Sequence, residues 1–436
     1  MSRYKPYPAY KDTGVEWLGE VPEGWGIVQG KRLFEQKKEP YKNGDVQLSA
    51  TQKYGVIPQH LFVEIEGRNV VMALNGIDSF KHVESNDFII SLQSFQGGVE
   101  WSKYSGCVSQ AYTVLRPNIG IKIESQFWVY LLKSVDFIST LQTVAEGIRN
   151  GKTISYEKFG GIYFPTPTSA EQRVIATHID HETFFIDTLI QKNTRLMELL
   201  KEKRSALITH AVTKGLDPNA KMKESGVEWI GEVPEGWGIV HLKFIAETIN
   251  GATPESGKAE YWDGDIAWYT PTDIDNEIIT ELMAPRRYIS KAGFESCAVK
   301  LAPAGSVILS TRAPIGSVGI TSVPSTINQG CRTLVPTHGM PTKFLASLLI
   351  AARDDLRLRG NGTTFQELST DGLRSLQVPM PQTKECASIA THLDHETAII
   401  DTLIAKTKLS IDILKERRSA FITAAVTGQI DIREAA

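Results

Sequence analysis

The chain contains one long pattern twice. GVEWLGEVPEGWGIV beginning at Gly14 returns as GVEWIGEVPEGWGIV beginning at Gly226, 212 residues later. ATHIDHETFFIDTLIQKNTRLMELLKEKRSALITHAVTKGLD from Ala176 returns as ATHLDHETAIIDTLIAKTKLSIDILKERRSAFITAAVTGQID from Ala390, 214 residues later. Displacements that nearly agree mean that one unit was duplicated whole, which constrains the architecture before any single residue does. What lies between the repeated ends behaves differently. NGDVQLSATQKYGVIPQ in the first half has no counterpart in GATPESGKAEYWDGDIAWYTPTDI of the second. Only faint matches survive there: VSQAYTVLRP from Val108 against INQGCRTLVP from Ile327, and ISYEKFGGIYFPTP from Ile154 against LSTDGLRSLQVPMP from Leu368. One fold carrying two surfaces is expected.

Each variable block mixes short apolar runs (VVMAL, FIISL; SVILST, TLVP) with Gly, Pro and Asn turns, the pattern of an α/β domain. Prolines close each block in FPTPTSAEQ and VPMPQTKEC, and a capping Ser or Thr with a Glu close behind opens a helix. From there a heptad-like pattern sets in. Ile179, Ile186, Asn193, Leu200 and Leu207 fall seven apart, as do Leu393, Ile400, Thr407, Leu414 and Phe421, with Leu189, Leu196 and Leu403 expected at d. Helices of about 35 to 40 residues would be on the order of 55 Å long. Each needs a partner for its apolar stripe, and its own duplicate is the obvious one. Asn193 and Thr407, polar at a positions, are expected to fix the register.

The expected fold class is therefore α/β: two globular domains separated by two long helices that form an antiparallel coiled coil, with a pseudo-twofold internal repeat. The boundaries are read as 1–168 and 218–382 for the globular domains, 169–217 and 383–436 for the helical spacers. Antiparallel pairing would put the variable domains at opposite ends of a rod, a geometry suited to duplex DNA, whose half-sites on one face recur every ~34 Å.

Composition narrows the class further. At 436 residues, with 42% hydrophobic and 22% charged, the chain is an ordinary globular sequence of more than one core. No apolar run approaches the roughly 18 residues of a membrane helix, and MSRYKPYPAYKDTG has no signal-peptide stretch, so a cytoplasmic protein without membrane contact is expected. Four scattered cysteines form no CxxC pair, which argues against zinc and against a disulfide framework. A net charge of −3 is low for a DNA binder, so basic residues must cluster locally or partners must supply charge.

The residues quoted above, together with the opening PYPAYKDTGVEWLGEVPEGW and the LSATQKYGVIP segment, resemble the specificity subunit of type I restriction-modification systems over nearly the whole chain. That resemblance implies that each variable block is a target recognition domain for half of a bipartite, asymmetric site in double-stranded DNA. It implies a coiled coil that sets the spacing and docks methyltransferase (modification) subunits, two of them, with restriction/translocase subunits joining through the complex. S-adenosylmethionine and ATP would then belong to those partners, leaving this chain non-catalytic and without a cofactor or metal of its own.

Two motifs suggest other chemistry. GATPESGK at 251–258 has five residues between its glycines and Ala259 after the lysine, where a phosphate loop has four and Ser or Thr. His178, Asp180, His181 and Glu182, repeated as His392, Asp394, His395 and Glu396, could face a metal at i and i+3, but the order is not HExxH and acids near a helix start explain them. Neither an N/DPPY/F motif nor a Gly-rich cofactor loop appears.

Reading bases requires Arg, Gln and Asn on loops. The candidates are Gln93, Gln96, Arg149, Asn150 and Lys152 in the first domain, and Thr253, Tyr261, Arg312, Arg357, Arg359 and Asn361 in the second. The Gly-rich basic loops GIRNGKT and RLRGNGTT stand out because both halves have one just before the domain closes. The duplicated tryptophans Trp17/Trp229 and Trp25/Trp237 belong to the frame and are expected to pack or meet a subunit rather than stack on DNA.

Overall fold

The computed structural model describes residues 4–67, 79–145, 153–360 and 367–433. It divides into two compact units, Met1–Asn193 with Leu409–Ala436, and Thr194–Lys408. Each unit holds one variable domain and a pair of helical segments.

In the first unit a four-stranded antiparallel sheet runs in the order Phe34–Lys37, Thr113–Pro117, Phe88–Ile90, Glu100–Trp101. The hairpin Leu48–Thr51/Gly55–Pro58 and the pair Lys81–Val83/Gly106–Val108 flank it. Beneath it Phe34, Phe88, Trp128, Phe137, Phe159 and Phe164 pack largely edge to face, with ring centroids 5.3 Å apart for Phe34 and Trp128. The second unit has a five-stranded sheet ordered Ala246–Asn250, Cys331–Pro336, Val307–Ser310, Val318–Thr321, Thr280–Leu282, whose last pair is parallel. A three-stranded sheet, Arg287–Ile289, Trp262–Tyr269, Ser325–Ile327, lies beside it, and the main core is aliphatic, built on residues such as Leu309, Leu334, Leu345 and Leu349.

The two domains share a framework under these differences. Gly26–Gln29 pairs with Tyr163–Thr166, and Gly238–His241 pairs with Gln377–Met380, both antiparallel. In each unit the next strand pairs with the one that follows the VSQA or INQG turn, and that strand pairs with a third. Ser155 and Ser369 cap equivalent short helices through Lys158 N and Gly372 N.

The long helices, Ser169–Lys214 and Thr383–Val426, have 46 and 44 residues, longer than the sequence pattern suggested. Thr168 Oγ1 accepts from Glu171 N at the first start, and Gly215 and Gly428, with φ of 76° and 78°, lie just past the ends where a left-handed residue closes a helix. In the first unit Ile175 and Ile179 share a core with Phe421 and Ala425, and Arg418 Nε bonds Asp187 Oδ1 at 2.8 Å. In the second, Ile208 and Ala211 share a core with Ile389 and Leu393, and Arg204 Nε meets Asp401 Oδ1 at 2.8 Å. Higher numbers on one helix meet lower numbers on the other in both units, so the pairing is antiparallel.

The seam differs from the expected one. Ile179, Ile186, Leu393, Ile400, Thr407 and Phe421 are buried, and Asn193, Leu200, Leu207 and Leu414 half-buried, but Leu189, Leu196 and Leu403 are 48%, 45% and 45% exposed. The second row lies four residues after the first rather than three: Thr183, Ile190, Met197, Arg204 and Ala211 on one helix, Thr397, Ile404, Ile411, Arg418 and Ala425 on the other. The expected d leucines therefore face away from the partner helix. Thr407 donates back to Leu403 O at 2.8 Å on its own helix, so its hydroxyl is satisfied without a cross-helix partner. Polar contacts that cross the seam include Arg204–Asp401 and Asp187–Arg418, related by the 214-residue repeat.

Candidate nucleic-acid interface

In the second domain strand pairing assembles one polar network from distant segments. Asn250 lies opposite Arg332 in the ladder, and Arg332 Nε donates to Thr370 Oγ1 at 3.0 Å, which in turn donates to Asn250 Oδ1 at 3.0 Å. Arg332 also donates through Nη1 to Gln329 O at 3.0 Å and to Cys331 O at 2.8 Å. Burial pushes its guanidinium below the usual arginine range, against the opposing pull of the Glu367 carboxylate. Glu367 faces Arg312 at 3.2 Å and Arg332 at 3.8 Å, while the Thr253 hydroxyl donates to Gln329 Oε1. The candidates Thr253 and Arg312 are thus tied into one network through Gln329, Glu367 and the half-buried Arg332.

The other candidates stand apart from this network. Arg357 donates to Ile315 O at 3.2 Å and pairs with Asp354, and Arg359 pairs with Asp355 on the same helical turn. Tyr261 closes a short turn whose carbonyl accepts from Ser290 N at 3.0 Å, with Lys258 Nζ 5.2 Å from its ring centre. The GATPESGK segment therefore ends on an aromatic contact of its own lysine. Arg149, Asn150, Lys152 and Asn361 lie outside the described residues, as do most of GIRNGKT and half of RLRGNGTT.

In the first domain Gln93 and Gln96 are exposed around the short helix Ser94–Gly97. The turn of the 48–58 hairpin packs on it: a Cβ added at Gly97 would come 2.5 Å from the end of the Gln52 side chain, which lies against this helix. Lys133 Nζ donates to Gln52 O at 3.0 Å, and Lys53 pairs with Glu66 at 3.2 Å. Gln52, Lys53, Gln329 and Arg332 were not singled out in the sequence. The VSQA/INQG match was the one signal that pointed toward Gln329.

The duplicated tryptophans are structural. Trp25 Nε1 donates to Glu171 Oε1 at 3.1 Å, Trp237 Nε1 to Glu385 Oε2 at 3.0 Å, and Trp229 Nε1 to Gln377 O at 3.2 Å. Trp17 stands edge-on to Phe137 and Phe164. Three of the helix-start histidines and acids are likewise engaged elsewhere. His178 Nε2 bonds the Tyr4 hydroxyl at 3.0 Å, Gln126 donates to Asp180 at 3.2 Å, and Lys343 donates to Asp394 at 2.5 Å. Among the described residues one cluster of metal-ligand type, Glu39, His82 and Glu84, comes together. Arg116 reaches Glu39 at 2.8 Å and Glu84 at 3.2 Å, so a guanidinium already supplies the positive charge there. Among the described residues no helix is long and apolar enough to cross a membrane.

Residues 234–415 match a family profile described as the type I restriction modification DNA specificity domain. The MjaIX type I restriction enzyme specificity subunit of Methanocaldococcus jannaschii is 34% identical over 189 residues, 43% of each chain, so this match spans less than half of that relative. The MjaVIII specificity subunit of the same organism is 22% identical across 95% of this chain and 94% of its own. Among solved structures, a chain from work on assembly and conformational transition of the type I R-M system superposes with a TM-score of 0.73 at 16% identity, covering 93% of this chain and 98% of that one. The HsdS subunit from Thermoanaerobacter tengcongensis superposes with a TM-score of 0.52 at 17% identity, covering 94% and 98%. At these identities the structural likeness establishes the fold.

Proposed function

We propose that the chain is a specificity subunit of the type I restriction-modification kind, the proteins it is similar to along its length, and that each variable domain reads one half of an asymmetric bipartite DNA site. The observation that carries the reading is the contrast between a repeated framework and unlike polar clusters. The first domain offers Gln52, Lys53, Gln93 and Gln96; the second offers Thr253, Arg312 and Arg332. Side chains of these types suit base edges and phosphates, and differing sets suit differing half-sites.

In this reading the helix pair sets the distance between half-sites, and its uncovered side docks two modification subunits. Phe184, Phe185, Leu189, Leu196 and Leu199 on one helix and Ile399, Leu403, Leu409 and Ile413 on the other are exposed large apolar residues that a partner would cover. Catalysis, S-adenosylmethionine and ATP then lie with the partners, and the restriction subunits join through the assembled complex. With a net charge of −3, the chain is expected to hold DNA tightly only together with them.

The test replaces residues 30–165 with the corresponding block of another specificity subunit and maps methylated bases in a host carrying the system. One half of the methylated motif should change and the other persist. An unchanged motif would sink the reading and favour a scaffold whose domains bind proteins.

A further inference from the structure

Within the divergent blocks, one exposed residue recurs on an identical piece of backbone. VSQAYTVLRP and INQGCRTLVP align Gln110 with Gln329, Leu115 with Leu334 and Pro117 with Pro336. The leucines recur for a reason visible in the cores, where both are fully buried. The glutamines have no such reason, because both are exposed. Each stands second in a tight turn capped by its first residue. Ser109 Oγ accepts from Ala111 N at 3.3 Å and Ser109 O from Tyr112 N at 3.0 Å. Asn328 Oδ1 accepts from Gly330 N at 3.0 Å and Asn328 O from Cys331 N at 3.2 Å. Turns of this kind need Ser, Asn or Asp at the first position but place no demand for glutamine at the second.

Both turns feed the strand second from the edge of their sheet, and both carry a cation. Lys81 Nζ donates to Tyr112 O at 2.5 Å, and Arg332 Nη1 to Gln329 O at 3.0 Å. In the second domain the Thr253 hydroxyl donates to Gln329 Oε1, so the side-chain oxygen is engaged and the amide nitrogen is the end left to donate outward.

We propose that Gln110 and Gln329 make one and the same contact in the two halves of the DNA site: each donates its side-chain amide to a backbone phosphate and fixes the register of its domain on the duplex. The inference deepens the function proposed above and rests on it. Half-sites of different sequence share their sugar-phosphate backbone, so an identical side chain on an identical turn, next to a cation, matches that shared partner better than it matches differing bases. The residues that differ around each turn are left to specify sequence.

The experiment uses the full chain assembled with its modification subunits. The methylated motif is first mapped in the host, and binding is then measured on a duplex carrying that motif and on a scrambled duplex. Gln110→Ala and Gln329→Ala should each weaken both duplexes by about tenfold, the loss of one hydrogen bond to a charged acceptor, with the motif unchanged. Gln110→Lys and Gln329→Lys should restore binding, with a salt dependence steeper by about one phosphate contact. Gln110→Glu and Gln329→Glu should each bind more weakly than the corresponding alanine variant. Alanine variants that bind like the parent, or a motif that becomes degenerate at one base in the mutated half, would overturn the proposal. If the unaltered complex itself shows no preference for the mapped duplex, the fault lies with the functional reading instead.

Discussion

Glu171 and Glu385 hold the same place in the duplicated frame, and each accepts the indole proton of a buried tryptophan. Their surroundings are not equal. The Tyr7 hydroxyl also donates to Glu171, at 3.0 Å, and burial together with that carboxylate pushes the Tyr7 phenol well above its ordinary range. A buried donor left without its acceptor costs roughly 1–3 kcal/mol. Glu385→Ala should therefore destabilise its unit by about that much, and Glu171→Ala by more, since two donors lose their partner. Denaturant midpoints of the two variants, read from the tryptophan fluorescence, compare them directly; equal losses would mean that Tyr7 finds another acceptor. That these tryptophans belong to the frame was legible in the repeat. What they donate to was not, because the acceptors lie 146 and 148 residues away and no local pattern encodes that separation. The recognition surface was legible to the same limited degree. Thr253 and Arg312 could be nominated by residue type, whereas Gln329 and Arg332 matter through the pairing of Ala246–Asn250 with Cys331–Pro336, which only the fold supplies.

At the scale of the helices, the period and antiparallel pairing were readable, and the second row of the seam was not. Leu189, Leu196 and Leu403 are stronger apolar signals than Thr183, Met197 and Arg204, so a sequence reading assigns the leucines inward. An arginine takes a seam position here because an aspartate on the other helix meets it. The two symmetry-related pairs differ in burial: the Arg204 side chain is 8% exposed and the Arg418 side chain 37%. Removing the partner of the buried Arg204 leaves its guanidinium with the Glu277 carbonyl at 3.3 Å, at a cost on the order of 2 kcal/mol because Asp401 is itself a third exposed, while an exposed pair contributes under about 1 kcal/mol. Asp401→Ala should consequently destabilise the protein more than Asp187→Ala, although both remove the same residue from the same repeat. Replacing the buried pair by Arg204→Met with Asp401→Leu should recover most of the loss, because apolar residues of similar volume fill such a site well. Thermal midpoints of the three variants decide it, and equal effects of the two alanine changes would show that burial does not govern these pairs.

For the molecule as a whole, the proposed function makes helix length a measure of DNA. Seven residues inserted after Leu200, with a matching heptad beside Ala405 so that the antiparallel seam keeps its period, add about 10 Å of helix. At ~3.4 Å per base pair that is about three base pairs of duplex. The methylated motif should keep both half-sequences and widen its gap by about that number, which base-resolution methylation mapping would show. Three base pairs also turn the duplex by close to a third of a revolution, since a turn takes ~10–10.5 of them. A heptad, by contrast, returns a helix to within about 20° of its starting face. The lengthened protein must therefore twist its DNA or its helices to engage both halves, and it should bind the widened site more weakly than the parent binds its own. Insertion into one helix alone offers the control: it puts the two rows of the seam out of step, and should lower stability without producing a new motif. A lengthened pair that still methylates the original spacing would mean that the helices hold the domains without setting the distance between half-sites.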